Sequence, residues 1–317
     1  MDISVIICTH NPRPDYLCRV LASLKAQTLP LEQWELLLVD NASGEPLAKA
    51  WDLSWHPNAR HIREDELGLT PARLRGIKES TGDFLVFVDD DNVMAADYLA
   101  EMPAIFRQWP TMGAIGGSIR GEFETDPPDW IRPYISSLAV FELGRNYWSN
   151  FEEWSLATPL GAGLSVRRQV ALAYTEKVRG SSLRRMLDRC GQGMGAGGDT
   201  DLALCAVDLG LGTGRFTTLK MTHLIPSSRL TRDYIVRLYA GFAVADEVLR
   251  VIRKNPPAKI DLSFPLRKKL RWLNRFLRMR GLKRDLFLAC EKSRWQARRM
   301  IAANLSASAK IQAEPGS

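Results

Sequence analysis

Residues 82–92 read GDFLVFVDDDN, from Gly82 to Asn92. The run Phe84 to Val88 has no polar interruption, which suits a strand covered on both faces in a parallel sheet. Three carboxylates, Asp89, Asp90 and Asp91, then crowd the end of that strand. Adjacent carboxylates repel one another unless a cation or solvent separates them. Side chains alternate along a strand, so Asp89 and Asp91 are expected on one side and Asp90 on the other. Hard divalent cations such as Mg2+ and Mn2+ prefer carboxylate and phosphate oxygens. Asp89 and Asp91 are therefore candidate metal ligands facing a diphosphate. Taken alone, the triplet reads equally well as a solvated turn.

Working outward, the same grammar recurs. Ile3 to Cys8 (ISVIIC) and Glu35 to Val39 (ELLLV) are continuous apolar runs, and Arg60 to Arg63 is a weaker strand candidate. Between them fall helical patterns: Leu17, Val20, Leu21 and Leu24 on one stripe, then Glu45 to Asp52, then a helix from Thr70 to Ser80. Thr70 is read as the cap of that last helix and Pro71 as its first residue. Strand and helix in alternation predict an α/β fold, an open and mostly parallel sheet flanked by helices. Ligands in such sheets bind at the edge where the strand C-termini gather. The polar clusters Thr9 to Asn11, Asp40 to Ser43 and Asp89 to Asp91 should converge there.

The second half is less regular. Ala114 to Gly121, Leu164 to Val166 and Phe216 to Met221 are short strand candidates. Residues 124–154 are rich in aromatics and proline, and residues 191–198 form a glycine-rich loop before Asp199. From Thr231 to about Asn304 the pattern is helical. The expected organisation is a catalytic domain at 1–230 (nucleotide half 1–110, acceptor half 111–230), a basic helical region at 231–305 and a flexible tail at 306–317.

The net charge of +7 is concentrated. Arg267 to Arg299 carries thirteen Lys or Arg against Asp285 and Glu291, a local +11 that leaves −4 elsewhere. Leu266, Leu270, Leu273 and Leu277 make one helical stripe within it. A basic amphipathic helix suits either an anionic membrane surface or packing against protein. No reader motif accompanies the basic run, so nucleic acid is not expected. Five widely spaced cysteines without a CxxC pair read as reduced thiols. No apolar run reaches the roughly 18 residues a membrane span needs. The location expected is cytoplasmic, peripheral on the inner face of the membrane; self-association is left open.

The motifs SVIICTHN (Ser4 to Asn11), ELLLVDNAS (Glu35 to Ser43), LGLTPARLRGI (Leu67 to Ile77), GDFLVFVDDDN and GGDTDL (Gly197 to Leu202) stand in this order. Together they resemble family 2 glycosyltransferases of the GT-A fold. The resemblance implies an inverting enzyme that takes a sugar from a nucleoside-diphosphate donor, UDP by family frequency, with Mn2+ or Mg2+ as cofactor. It places Thr9 and Asp40 beside the donor's base and ribose and Arg73 near the diphosphate, with Asn11 and Asp90 in the same pocket. It makes Asp199 the general base, with Asp201 second, and gives His223 a place on the metal. Gly198 stands where the family has Glu. Gly161, Ala162, Gly163 and Trp154 are candidates for meeting a glycan or lipid-linked acceptor. His10, His56 and His61 are read as structural.

Two other functions stay open. A sugar nucleotidyltransferase also uses carboxylate-bound metal on an α/β sheet, but CTHNPRP after the first strand lacks the Gly-rich basic loop of that class. A non-catalytic nucleotide-sugar-binding protein would tolerate Gly198.

Overall fold

The computed structural model describes residues 2–189, 195–253 and 266–313. In chain order the elements are β1 (Ile3–Thr9), α1 (Pro14–Lys25), β2 (Trp34–Asn41), α2 (Leu47–Ala50), β3 (Ala59–Glu64), α3 (Leu69–Glu79), β4 (Phe84–Val88), β5 (Asn92–Met94) and α4 (Tyr98–Gln108). They continue with β6 (Met112–Phe123), β7 (Tyr147–Ser149), β8 (Ser165–Arg167), α5 (Arg168–Arg179), α6 (Ser182–Arg185), α7 (Gly198–Asp208) and β9 (Gly212–Ile225). Three helices follow: α8 (Arg232–Arg253), α9 (Leu266–Arg278) and α10 (Gly281–Ala313).

The sheet order is β3-β2-β1-β4-β8-β6-β9-β5, with β7 on β9. The β3, β2, β1 and β4 strands run parallel. β8 is antiparallel to both β4 and β6, β6 and β9 are parallel, and β5 and β7 are antiparallel to β9. The sheet is thus mostly parallel at its first half and mixed at its second.

Alternation explains why the strands read as unbroken apolar runs. On β1, Ile3, Val5 and Ile7 pack with α1 and α4 residues such as Leu17, Leu24 and Phe106. Ile6, between them, packs on the other face with Ala72, Ile77 and Leu37. β2 and β4 divide the same way: Leu36, Leu38, Val86 and Val88 go to the first core, Leu37, Val39, Leu85 and Phe87 to the second. With helices over both faces, neither face of these strands needs polar residues.

Several boundaries differ from the sequence-based expectation. The helix expected over Glu45 to Asp52 shrinks to α2, because Asp40 accepts the Leu47 N–H at 3.1 Å and fixes its start just past Pro46. α3 begins at Leu69 with Gly68 as its cap, φ 144°, and Thr70 is a buried residue of the first turn. Pro71 is therefore the third helical residue, where its missing N–H still costs nothing. His223 lies inside β9 rather than after it, because β5 and β6 pair that far along. α10 continues past Asn304 to Ala313, and 314–317 lie outside the described residues. So do Cys190 and most of the glycine-rich loop at 191–194; among the described residues Cys8, Cys18, Cys205 and Cys290 form no disulfide.

β6 and β9 shift register between Gly117 and Ser118, whose partners are Phe216 and Lys220. A side chain on Gly117 would place Cβ 1.9 Å from the Leu219 carbonyl oxygen. Gly117→Ala should therefore destabilise the fold by about 3 kcal/mol, as overpacking against backbone does. A drop in the denaturant midpoint at constant m measures it.

By contacts the chain forms two units, Met1–Arg179 with Gly198–Ser227, and Gly180–Gly197 with Ser228–Ser317. The first contains the whole sheet. The second is helical, and its core joins Leu183 and Leu187 to Ala245, Val248 and Val251 of α8 and Ile301 of α10. Among the described residues no helix is long and apolar enough to cross a membrane.

Candidate active site

The C-terminal ends of β1, β2 and β3 are laced together by side chains. The Asn11 N–H donates to Ser43 Oγ at 2.9 Å, and Asn11 Oδ1 accepts the Gly44 N–H at 2.9 Å. His10 Nδ1 lies 2.7 Å from the Asn41 carbonyl. Asn41 bonds the Glu66 carbonyl and the Gly68 N–H. Asn11 and Ala42 accept left-handed backbone, φ 48° and 54°, in doing so. Asp40 is 4% exposed and its two oxygens receive the Ser43 N–H, the Leu47 N–H and Arg63 Nη1 at 2.8 Å. Burial pushes its carboxyl up, but these hydrogen bonds outweigh burial and hold it below the ordinary carboxylate range. Asp40 thus shapes the loop at 41–47 from within. Asp65, 85% exposed, spends itself on Arg63.

The triple aspartate divides by residue. Asp90 contacts the Thr9 hydroxyl, tying the β4 end to the β1 end. Asp91 is 6% exposed; its Oδ1 accepts from Asn92 Nδ2 at 2.7 Å and its Oδ2 lies 3.4 Å from His223 Nε2. That approach is made by β5 against β9, which puts Asn92 opposite His223 and bonds the Leu224 N–H to the Asp91 carbonyl at 2.8 Å. Carboxylate and imidazole together suit Mn2+. No third His, Cys, Asp or Glu joins them into a ready cluster among the described residues. The Asp89, Asp91 and His223 set is accordingly not preassembled, and Mg2+ or Mn2+ there would draw its other ligands from a diphosphate and water, as such ions do.

On the neighbouring strand the Leu164 carbonyl accepts the Phe87 N–H at 2.9 Å, which brings residues 161–163 to the same end of β4. Gly161 donates its N–H to Asp199 Oδ2 at 2.8 Å, and Thr200 donates to Oδ1 at 2.8 Å. Asp199 lies within the first turn of α7 and stays partly exposed, whereas Asp201 is fully buried. A carboxylate has lone-pair positions to spare after two such bonds. A Cβ on Gly161 would lie 3.2 Å from Asp199 Oδ2 and 3.5 Å from Arg73 Nη2, so Arg73 shares this corner. Arg73 is 4% exposed, a buried residue of α3. Ala162 packs into the first core, and the Gly163 carbonyl accepts the buried Tyr98 hydroxyl at 2.6 Å. Trp154 is open to solvent, together with Trp148 and Phe151.

Arg215 carried no sequence signal beyond a lone basic residue in a strand. It is 1% exposed, donates Nε to the Thr158 carbonyl at 2.7 Å and stands over the Phe141 ring at 4.9 Å. Among the described residues Nη1 and Nη2 find no hydrogen-bond partner. Burial pushes its pKa down to about 10, opposed by the charge of Asp199, so it remains a cation at neutral pH. Buried unpaired cations are costly. Arg215→Met should raise unfolding stability by about 1–3 kcal/mol while lowering function; a denaturant melt beside a turnover assay checks both signs.

This is a GT-A-like α/β domain whose polar groups gather at one end of its parallel strands. Residues 4–163 match the family model described as Glycosyl transferase family 2, and the chain belongs to that family. It is 29% identical over 152 residues to "Succinoglycan biosynthesis protein ExoM" of Rhizobium meliloti (strain 1021), covering 45% of this chain and 48% of that one. It is 25% identical over 175 residues to "Glucosyl-dolichyl phosphate glucuronosyltransferase" of Haloferax volcanii, covering 54% of each. The chain spans about half the length of these curated relatives. The crystal structure of S. aureus TarS aligns with a TM-score of 0.51 at 14% identity, over 96% of this chain and 55% of that one, a likeness of fold.

Proposed function

We propose that this protein is an inverting glycosyltransferase that moves a sugar from a nucleoside-diphosphate sugar, a UDP-sugar first, to a hydroxyl of a glycan or lipid-linked acceptor. The observation that carries the reading is the convergence of Arg73, Gly161 and Asp199, from three separate segments, on one corner. Each alone is an ordinary residue; together they supply a cation for a diphosphate, a close-approach backbone and a partly exposed carboxylate.

In this reading Thr9, Asn11, Asp40 and Asp90 build the donor pocket, partly by holding the β1, β2 and β4 ends in register. Asp91 and His223, with Asp89 as the third candidate, would hold Mn2+ or Mg2+, which when bound neutralises charge on a departing diphosphate. Arg73 adds a second positive charge on that side. Asp199 takes the proton of the acceptor hydroxyl as its oxygen attacks the anomeric carbon. The Gly161 N–H fixes the carboxylate for that task. Gly161, the partly exposed residue of 161–163, and the exposed ring of Trp154 receive the acceptor, while the buried Ala162 and Gly163 hold the loop in place; an aromatic face suits a sugar ring.

The test is a thermal-shift screen of nucleotide-sugars with Mn2+, followed by a turnover assay with the donor that binds. A ligand at a hundred times its Kd adds about 2.7 kcal/mol to native stability. Failure of every nucleotide-sugar to shift the melt sinks the proposal. A shift without turnover supports a binding protein, and turnover of sugar phosphate with nucleoside triphosphate supports a nucleotidyltransferase.

A further inference from the structure

α9 contains Arg267, Lys268, Lys269, Arg271, Arg275 and Arg278 and no acidic residue. Its side toward α10 is occupied. Trp272 and Phe276 stack at 5.3 Å, Trp272 meets Phe287 at 5.6 Å, and the Arg284 guanidinium sits 4.1 Å from the centre of the Phe276 ring. The leucine stripe is not covered: Leu270, Leu273 and Leu277 are 58%, 45% and 69% exposed. Three- and four-residue steps put Leu270, Leu273 and Leu277 on one face.

α10 repeats the pattern. Its inner face buries Leu286, Ala297 and Ile301. Its outer face carries Leu288, Lys292, Trp295 and Arg299 at the same steps, all exposed, with the Arg299 guanidinium 4.7 Å from the Trp295 ring. Leucine, tryptophan and flanking cations are the composition of a helix lying in a lipid interface.

Charge selects the occupant. A second copy laid face to face would set one acid-free basic helix against another. A nucleic acid would take the cations and leave the leucines in water. A membrane span is excluded by length, since thirteen helical residues reach only about 20 Å. An anionic bilayer takes both groups, with leucines in the acyl boundary and cations at the headgroups.

We propose that the leucine stripe of α9, with Leu288 and Trp295 of α10, is a peripheral docking surface for an anionic lipid bilayer. This rests on the reading above only for its purpose, the delivery of a lipid-linked acceptor; binding itself does not depend on sugar transfer. The test is sedimentation of the full chain with vesicles of phosphatidylcholine alone or mixed with phosphatidylglycerol. At about 0.1 M salt the chain should bind mixed vesicles about tenfold more tightly than neutral ones or more, and molar salt should erase the difference. Leu270→Gln/Leu273→Gln/Leu277→Gln should lose binding about tenfold while circular dichroism and any donor-induced thermal shift stay as in the parent. Equal binding to both vesicles overturns the proposal, as does an unchanged triple variant. A parent dimer that the triple variant splits into monomers assigns the stripe to self-association instead and also overturns it. If no nucleotide-sugar binds but vesicle binding follows this pattern, the transfer reading fails and the surface stands.

Discussion

Asp199→Asn will bind a nucleotide-sugar as the parent does and transfer it about 10²- to 10⁴-fold more slowly, the usual cost of a lost general base. Asparagine keeps an oxygen for the Gly161 N–H, which Asp199 accepts at 2.8 Å, so the loop at 161–163 should stay in place. What disappears is the ability to take a proton. The measurement is kcat at saturating donor beside the donor-induced thermal shift of the same variant. Asp201→Asn is the control: that carboxyl is fully buried, so its loss should appear in the melt before it appears in turnover. Transfer that survives Asp199→Asn assigns the base elsewhere.

Asp91→Ala should abolish the Mn2+-dependent part of the thermal shift and cost about 10³-fold in transfer. That factor is about 4 kcal/mol at 1.36 kcal/mol per tenfold, in line with the several kcal/mol a metal contributes. Asp91 is the acid that approaches His223, at 3.4 Å, and both side chains are nearly buried. A double-mutant cycle with His223→Ala reads the coupling directly. If both residues act through one ion, the two changes together should cost barely more than Asp91→Ala alone. Full additivity of the two losses, or a manganese shift that persists without Asp91, rejects a shared ion.

The arrangement also explains why Arg215 is tolerated. An arginine buried beside Thr158 and Phe141 is expected to cost stability, which the charge of Asp199 partly offsets. Natural folds keep such costs chiefly where function needs them. Arg73 and Arg215 are thus two buried cations of the first unit, set among the buried carboxylates Asp91 and Asp201.

Much of the first hundred residues was legible because β1, β2 and β4 are buried on both faces, and burial on both faces writes an unbroken apolar run. Their polar ends, Thr9 to Asn11, Asp40 to Ser43 and Asp89 to Asp91, were readable for the same reason: each begins where a run stops. Short antiparallel strands leave no such mark. β5 and β7 have three residues each and exist through their pairing with β9. The extent of β9 and the place of His223 within it depend on those pairings.

Sequence by itself determined the alternating α/β architecture, the family, and which strand ends carry acids, since these follow from local periodicity and short motifs. Tertiary structure alone decided that Asp91 rather than a preformed trio meets His223, that Asp199 is hinged to Gly161, that Arg73 and Arg215 are buried, and that Leu270, Leu273 and Leu277 of α9 stay uncovered. Each of these depends on groups distant in the chain meeting in space, and the energy of such a meeting is set by pairing and burial that no short window of residues contains.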